Sequence, residues 1–435
     1  MRITIILLFA VSTAMSGQAA VRRSSDLGWK AGQDVTEAFA QLFETGTLKA
    51  GDEFVLDHTY KISGKHELPD NFTLSAKKGA GFEVTDATPK APGPFLTLGA
   101  KNTLRNVTIT YLNTPPLGPT GEKHEVNFTR MTGILAEGKD DLLFENCRLI
   151  GSIGHHVKLA DQCNRPRFIG CHIAGGHWSV LISAKDAVFK RCVIEKCQGD
   201  GIKGGADRIL VDNCVFQDSL RDGIDTTGGI NDAVIRNSIF RRLGTGGLDL
   251  KSWYDFRKTL DRPGNVGILI KNCRFVDIPN AIVLTTLDTG RRQGPGNELL
   301  TAENIAKYAP HDIDVNDCVF GYTDKPEYNR KHHDGGYRVD YPSESGEVMR
   351  AIYLKDAYSI RYRNASFFGD RIKPVYIRSI GGSRHLSKEA ADALEPTISG
   401  TVAGPAQPAK PGDRSIPFKY GPQPPNSNPK KKPLQ

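Results

Sequence analysis

A phrase that recurs about every 22 residues constrains this chain more than any other feature. It reads Phe144-Glu145-Asn146-Cys147-Arg148-Leu149, then Val211-Asp212-Asn213-Cys214-Val215-Phe216, Ile235-Arg236-Asn237-Ser238-Ile239-Phe240, Ile270-Lys271-Asn272-Cys273-Arg274-Phe275 and Val315-Asn316-Asp317-Cys318-Val319-Phe320. Cys147, Cys171, Cys192 and Cys214 are spaced by 24, 21 and 22 residues, and Ser238 follows 24 later. Cys273 and Cys318 continue the series after gaps of 35 and 45. Apolar and polar residues alternate in each copy, which is strand periodicity. Asn breaks the alternation, and Asn tolerates the left-handed backbone that turns one strand into the next. Each copy is too small to bury its own apolar face, so the copies must stack.

A second strand aligns in every copy. Val157, Val180, Ile202, Ile224, Leu248, Ile282, Ile352 and Val375 form its inward column. The expected fold is all-β: a parallel β-helix of about eight to ten coils of about 22 residues, whose right hand is implied by the resemblance given below. A short N-terminal capping helix is expected from Asp34-Val35-Thr36-Glu37 to Glu44, followed by a lead-in strand over Phe54 to Ile62. The expected divisions are a signal peptide over 1–19, the cap and lead-in strand over 20–69, the solenoid over 70–395 and a Pro/Lys-rich disordered tail over 396–435. Longer insertions at 112–130, 253–266, 286–311 and 321–350 would wall a groove, with a helical stretch over Thr301 to Tyr308. A regular stack of cysteines one strand apart reads as a column of buried free thiols rather than as disulfides. No CxxC spacing suggests zinc.

The formal charge of +8 is unevenly placed. From Gly404 to Gln435 six basic residues stand against Asp413 alone, among nine prolines. That segment is expected to be disordered. The body is close to neutral and carries no basic helix or aromatic RNA-binding motif, which argues against nucleic acid as a partner. Met1-Arg2, the apolar run Ile3 to Ala14 and small residues at Gly17 and Ala19 read as a secretion signal, so the mature chain is expected in the periplasm or medium. No later run is apolar enough to span a membrane. A monomer is expected.

The outward column of the second strand carries the chemistry. It reads Lys158, Leu181, Lys203, Asp225, Asp249, Val283, Tyr353, Tyr376, flanked by Asp200 and Asp222 before it and by Lys251, Lys355 and Arg378 after it. Asp200, Asp222 and Asp225 are candidate ligands for Ca²⁺, a hard cation that takes several carboxylate oxygens. On these residues the chain resembles the pectate-lyase-like right-handed parallel β-helix superfamily. Within it, Asp200-Gly201-Ile202-Lys203, Asp222-Gly223-Ile224-Asp225 and Gly246-Gly247-Leu248-Asp249-Leu250-Lys251 are similar to family-nine polysaccharide lyases. The resemblance implies calcium at Asp200, Asp222 and Asp225 and a lysine base. The sequence has Arg221 where that family has the first of a paired Asp. Asp249 is nearest the family's base position, with Lys251 two residues later.

The resulting expectation is β-elimination on an acidic, uronate-containing polysaccharide. Lys251, or else Lys203, would be the base if neighbouring cations and burial lowered its pKa. Arg221, Lys355 and Arg378 would hold substrate carboxylates, and Trp178, Trp253, Tyr254, Tyr353 and Tyr376 would stack on sugar rings. His155-His156 and His332-His333 are weaker metal candidates, and one of the first pair is expected to face outward. Three alternatives remain: a glycoside hydrolase using Asp225 and Asp249, a uronate epimerase, and a non-catalytic carbohydrate-binding protein.

Overall fold

The computed structural model describes residues 19–86, 93–112, 131–151, 153–251, 264–285, 310–321, 349–355, 360–369, 372–377 and 398–402. Residues 1–18, most of the four insertions, Thr301 to Tyr308, His332-His333 and the Pro/Lys tail other than Ile398–Val402 lie outside these residues. Ile398–Val402, expected in the disordered tail over 396–435, is instead a strand held by parallel pairing to Ile360–Phe368.

Each turn of the chain contributes to three faces. One turn runs Ile202–Asp207, Leu210–Asp212, Val215–Ser219 and returns at Ile224–Asn231 on the face it left. Every successive pairing is parallel, so the turns stack as a β-helix. We call these the site face, the first face and the second face. The corner from first to second face is made as expected: Asn146, Asn213, Asn237, Asn272, Asp317 and Asn364 all have φ between 52° and 56°. Side-chain amides then bond along the stack, Asn146 to Asn106 at 3.2 Å and Asn272 to Asn237 at 2.9 Å.

The residue after the corner turns inward. All eight cysteines are free and buried. In the column itself each thiol donates to a carbonyl one rung away: Cys171 to Phe144 at 3.3 Å, Cys192 to Phe168 at 3.2 Å, Cys214 to Phe189 at 3.4 Å. Ser238 takes one place in this column and accepts from the Cys214 backbone N–H at 3.1 Å. Burial pushes Cys171, Cys214 and Cys273 well above the ordinary thiol range. Beside them runs a phenylalanine stack. Phe144, Phe168 and Phe189 overlap on the first face at 4.5 and 4.6 Å between ring centres. It then moves to the second face as Phe216, Phe240, Phe275, Phe320 and Phe367.

The stack is longer than the repeat suggested. The first face reaches back through Thr103–Arg105, Thr73–Ala76 and Glu53–Leu56 to Val21–Arg23, and forward to Ile398–Val402. Among the described residues the site face alone has eleven strands. The lead-in strand expected over 54–62 is two strands on different faces, Glu53–Leu56 and Thr59–Ile62. The rungs before residue 70 lack the Asn-Cys phrase, so periodicity did not place them in the stack. The helix Thr36–Glu44 buries Phe39 and Leu42, and Phe39 packs against Phe54 and Phe82 of the first turns. Its capping box is absent: Asp34 accepts instead from the Thr36 backbone N–H at 3.0 Å and hydroxyl at 2.7 Å.

Two substitutions test this packing by chemical denaturation. Phe240→Ala should cost about 3–5 kcal/mol, the usual loss for a buried aromatic. Cys214→Ser should cost no more than about 1.5 kcal/mol, because Ser238 shows that the column accepts a hydroxyl bonded to a backbone carbonyl.

Candidate active site

The site face has the register that the apolar column implied. Val157, Val180, Ile202, Ile224, Leu248, Ile282, Ile352 and Val375 are successive partners. Because strand side chains alternate, the next residues share the opposite side of the sheet. Lys203, Asp225 and Asp249 are therefore consecutive partners on neighbouring rungs. Asp200 and Asp222 precede them at the corner into this face. Gly201 and Gly223 follow these acids because the rungs come too close for a Cβ: one at Gly223 would lie 2.7 Å from the Gly247 carbonyl oxygen.

The four carboxylates Asp200, Asp222, Asp225 and Asp249 are all buried. Three cations are interleaved with them. The Lys203 ammonium bonds Asp225 and Asp200, the latter at 3.0 Å. Lys251 bonds Asp249 at 2.6 Å and Asp225 at 3.4 Å. Arg221 lies 3.8 Å from Asp200. Thr245 donates its hydroxyl to Asp222 at 2.5 Å. Two oxygens, Asp225 Oδ1 and Asp249 Oδ1, are buried with no hydrogen-bond partner.

These contacts split the protonation behaviour of the carboxyls. Burial raises Asp200, but Lys203 and Arg221 outweigh it and hold it below its ordinary value. Burial, then Asp249 and Asp200, push Asp222 well above the carboxylate range. Burial raises Asp249 against the pull of Lys251, leaving it at about 6. The lysines behave oppositely to the expectation for a base. Burial pulls Lys251 down, yet Asp249, Asp225 and Asp222 together hold it above its ordinary value. Lys203 is likewise raised, by Asp200 and Asp225 against burial. Other cations are close, since Lys203 and Lys251 meet the same Asp225 oxygen, but the carboxylates in direct contact outweigh them and hold both amines protonated.

Calcium fits this cluster poorly. Asp200, Asp222 and Asp225 each present an oxygen within 4.8 Å of the others, which is the right chemistry. The Lys203 ammonium, however, already bonds Asp200 and Asp225. A metal ion would have to displace it.

Other expected residues fall as follows. Trp178 lies beside the cluster, but its ring takes the Lys203 ammonium at 5.1 Å and packs against His155 and His177. His155 and His156 are both buried, where one was expected outside, and burial lowers each to about 4. Tyr353 and Lys355 continue the face by register with Val283 and Thr285. Trp253, Tyr254 and Arg378 lie outside the described residues. The sequence reading missed Thr245 and Asn265. Asn265 lies at the end of the insertion expected over 253–266 and has no place in the phrase, so only the fold brings it near.

A family model described as a right handed beta helix region matches residues 132–290. No curated protein matches the chain by sequence. The A-module of a mannuronan C-5 epimerase from Azotobacter vinelandii superposes with a TM-score of 0.52 at 11% identity, covering 89% of this chain and 99% of that one. A lacto-N-biosidase from Eubacterium ramulus superposes with a TM-score of 0.50 at 10% identity, covering 88% of this chain and 66% of that one. The chain is a right-handed parallel β-helix protein, and these likenesses establish that fold. No helix among the described residues is long and apolar enough to cross a membrane.

Lys251→Ala tests the ion-pair geometry. Removing one partner of a buried pair typically costs about 3–5 kcal/mol. A loss of that size in chemical denaturation is expected, whereas a free amine base could be removed with little change in stability.

Proposed function

We propose that the protein hydrolyses a glycosidic bond at the Asp225 and Asp249 rungs. The observation that carries this reading is a pair of carboxylates on adjacent strands, about 4.8 Å apart by strand spacing, that share one ammonium yet each keep an unpaired oxygen. Two neighbouring carboxyl groups with separated environments are what acid-and-base work on a glycosidic oxygen needs. Asp249, at about 6, carries a proton in mildly acidic solution and would give it to the leaving oxygen. Asp225, ion-paired to both lysines, would face the anomeric carbon or its attacking water. Lys251 would hold the two acids in register, and Arg221 would offer its guanidinium to hydroxyls or carboxylates of the glycan.

Both superposed proteins act on carbohydrates by their names, which agrees with this reading as fold-level analogy. Elimination by a lysine is disfavoured because both candidate amines are tied to carboxylates. The leader-like N-terminus supports an exported protein working on an extracellular polymer.

The test is a screen of pectate, alginate, ulvan, glycosaminoglycans and neutral oligosaccharides, with and without a chelator. New reducing ends without unsaturated-uronide absorbance, unaffected by chelation, are expected. Unsaturated product, or activity lost on chelation, would overturn the hydrolase. Asp249→Asn should lower kcat by about 10²–10⁴-fold, the usual worth of a general acid. The acid is competent only when protonated, so kcat/KM should fall as pH rises through about 6. A profile flat across that range would remove Asp249 from the role.

A further inference from the structure

We propose that Asn265 is a positioning residue that sets the Asp225, Asp249 and Lys251 group from behind. This rests on the reading that those three residues form the reacting centre. Beyond Asp225 the regular ladder fails. The strand Ile224–Asn231 pairs with Gly246–Lys251 only at Ile224↔Leu248 and Asp225↔Asp249. It then departs and meets the following strand at Asn231↔Val266. On its other side the register slips between Lys203 and Gly205, so the strand bulges just after Asp225. Bulges leave backbone groups unpaired and re-aim side chains, and they recur beside active sites.

One side chain fills that gap. Asn265 is fully buried with φ 54°, in the left-handed region. Its Oδ1 accepts from the Ile230 backbone N–H at 2.9 Å and the Thr226 hydroxyl at 3.0 Å. Its Nδ2 donates to the Lys251 backbone carbonyl at 2.9 Å. Thr226 follows Asp225 directly, so a single amide ties both sides of the bulge to the residue whose ammonium joins Asp225 and Asp249. A left-handed corner alone would not require this. Asn213 makes a similar turn with φ 56° and no comparable link. The three bonds fix where the end of one rung lies against the next, and the ion pairs follow.

The test compares Asn265→Gly with Asn213→Gly, since glycine keeps the left-handed backbone and removes only the side chain. Lys251 labelling by an amine-acylating reagent is followed by peptide mass spectrometry on the folded full-length protein, together with hydrogen exchange at the Ile230 amide. In Asn265→Gly, Lys251 should label about tenfold faster, the factor one lost hydrogen bond is worth, with Lys203 unchanged. Asn213→Gly should leave both lysines at the native rate. Should Asn265→Gly fail to fold, Asn265→Ser carries the same comparison, because its hydroxyl is too short to reach both the Ile230 amide and the Lys251 carbonyl and it adds no charge. Native Lys251 labelling with faster Ile230 exchange would overturn the proposal, as would equal effects in the two glycine variants. None of these readouts needs turnover, so the outcome is separate from that of the hydrolase. Where a substrate is in hand, kcat should fall about 10²-fold with KM kept, the cost of a misplaced reacting group.

Discussion

The parallel backbone ladder is the constraint on which everything else depends. It holds each rung about 4.8 Å above the last and, wherever the pairing is unbroken, in fixed register. Any residue type that recurs with the repeat must therefore stand over its own kind. For Phe144, Phe168 and Phe189 this gives near-parallel ring stacks. For the cysteines it gives thiols bonded to carbonyls one rung away. For asparagine it gives an amide ladder along the corner.

The same constraint makes the site face costly. Asp225 stands directly over Asp249. Two carboxylates at about 4.8 Å repel by roughly 3–4 kcal/mol at an effective dielectric near 20. The structure offsets this by placing ammonium groups between the acids: Lys203 between Asp200 and Asp225, Lys251 between Asp225 and Asp249. Four acids and three cations do not cancel completely. Asp222 and Asp249 take up the remainder by moving toward the protonated form.

How each residue reads from sequence depends on whether its neighbours are periodic. Val157 to Val375, and the outward residues beside them, were aligned correctly because each lies at a fixed place in a strand. Lys203, Asp225, Asp249 and Lys251 were legible as one cluster for the same reason, and Asp200 and Asp222 as the acids a fixed step before those strands; only the fold set Arg221 beside them, 3.8 Å from Asp200. The rungs before residue 70 were not counted in the stack, because Val21–Arg23 and Glu53–Leu56 carry the ladder without the Asn-Cys phrase. Asn265 lies at the end of an insertion that breaks the period, so no count of residues leads to it.

The sequence by itself determined a parallel stack with asparagine corners, a thiol column and one face rich in Asp and Lys. Apolar burial and backbone geometry repeat with the chain and need no distant information. Only the tertiary structure decided the partners on that face. Whether an amine stands among cations or carboxylates depends on side-chain reach between rungs. That reach put Lys203 and Lys251 among acids, which hold both above the ordinary lysine range, and left Asp249 raised by burial to about 6.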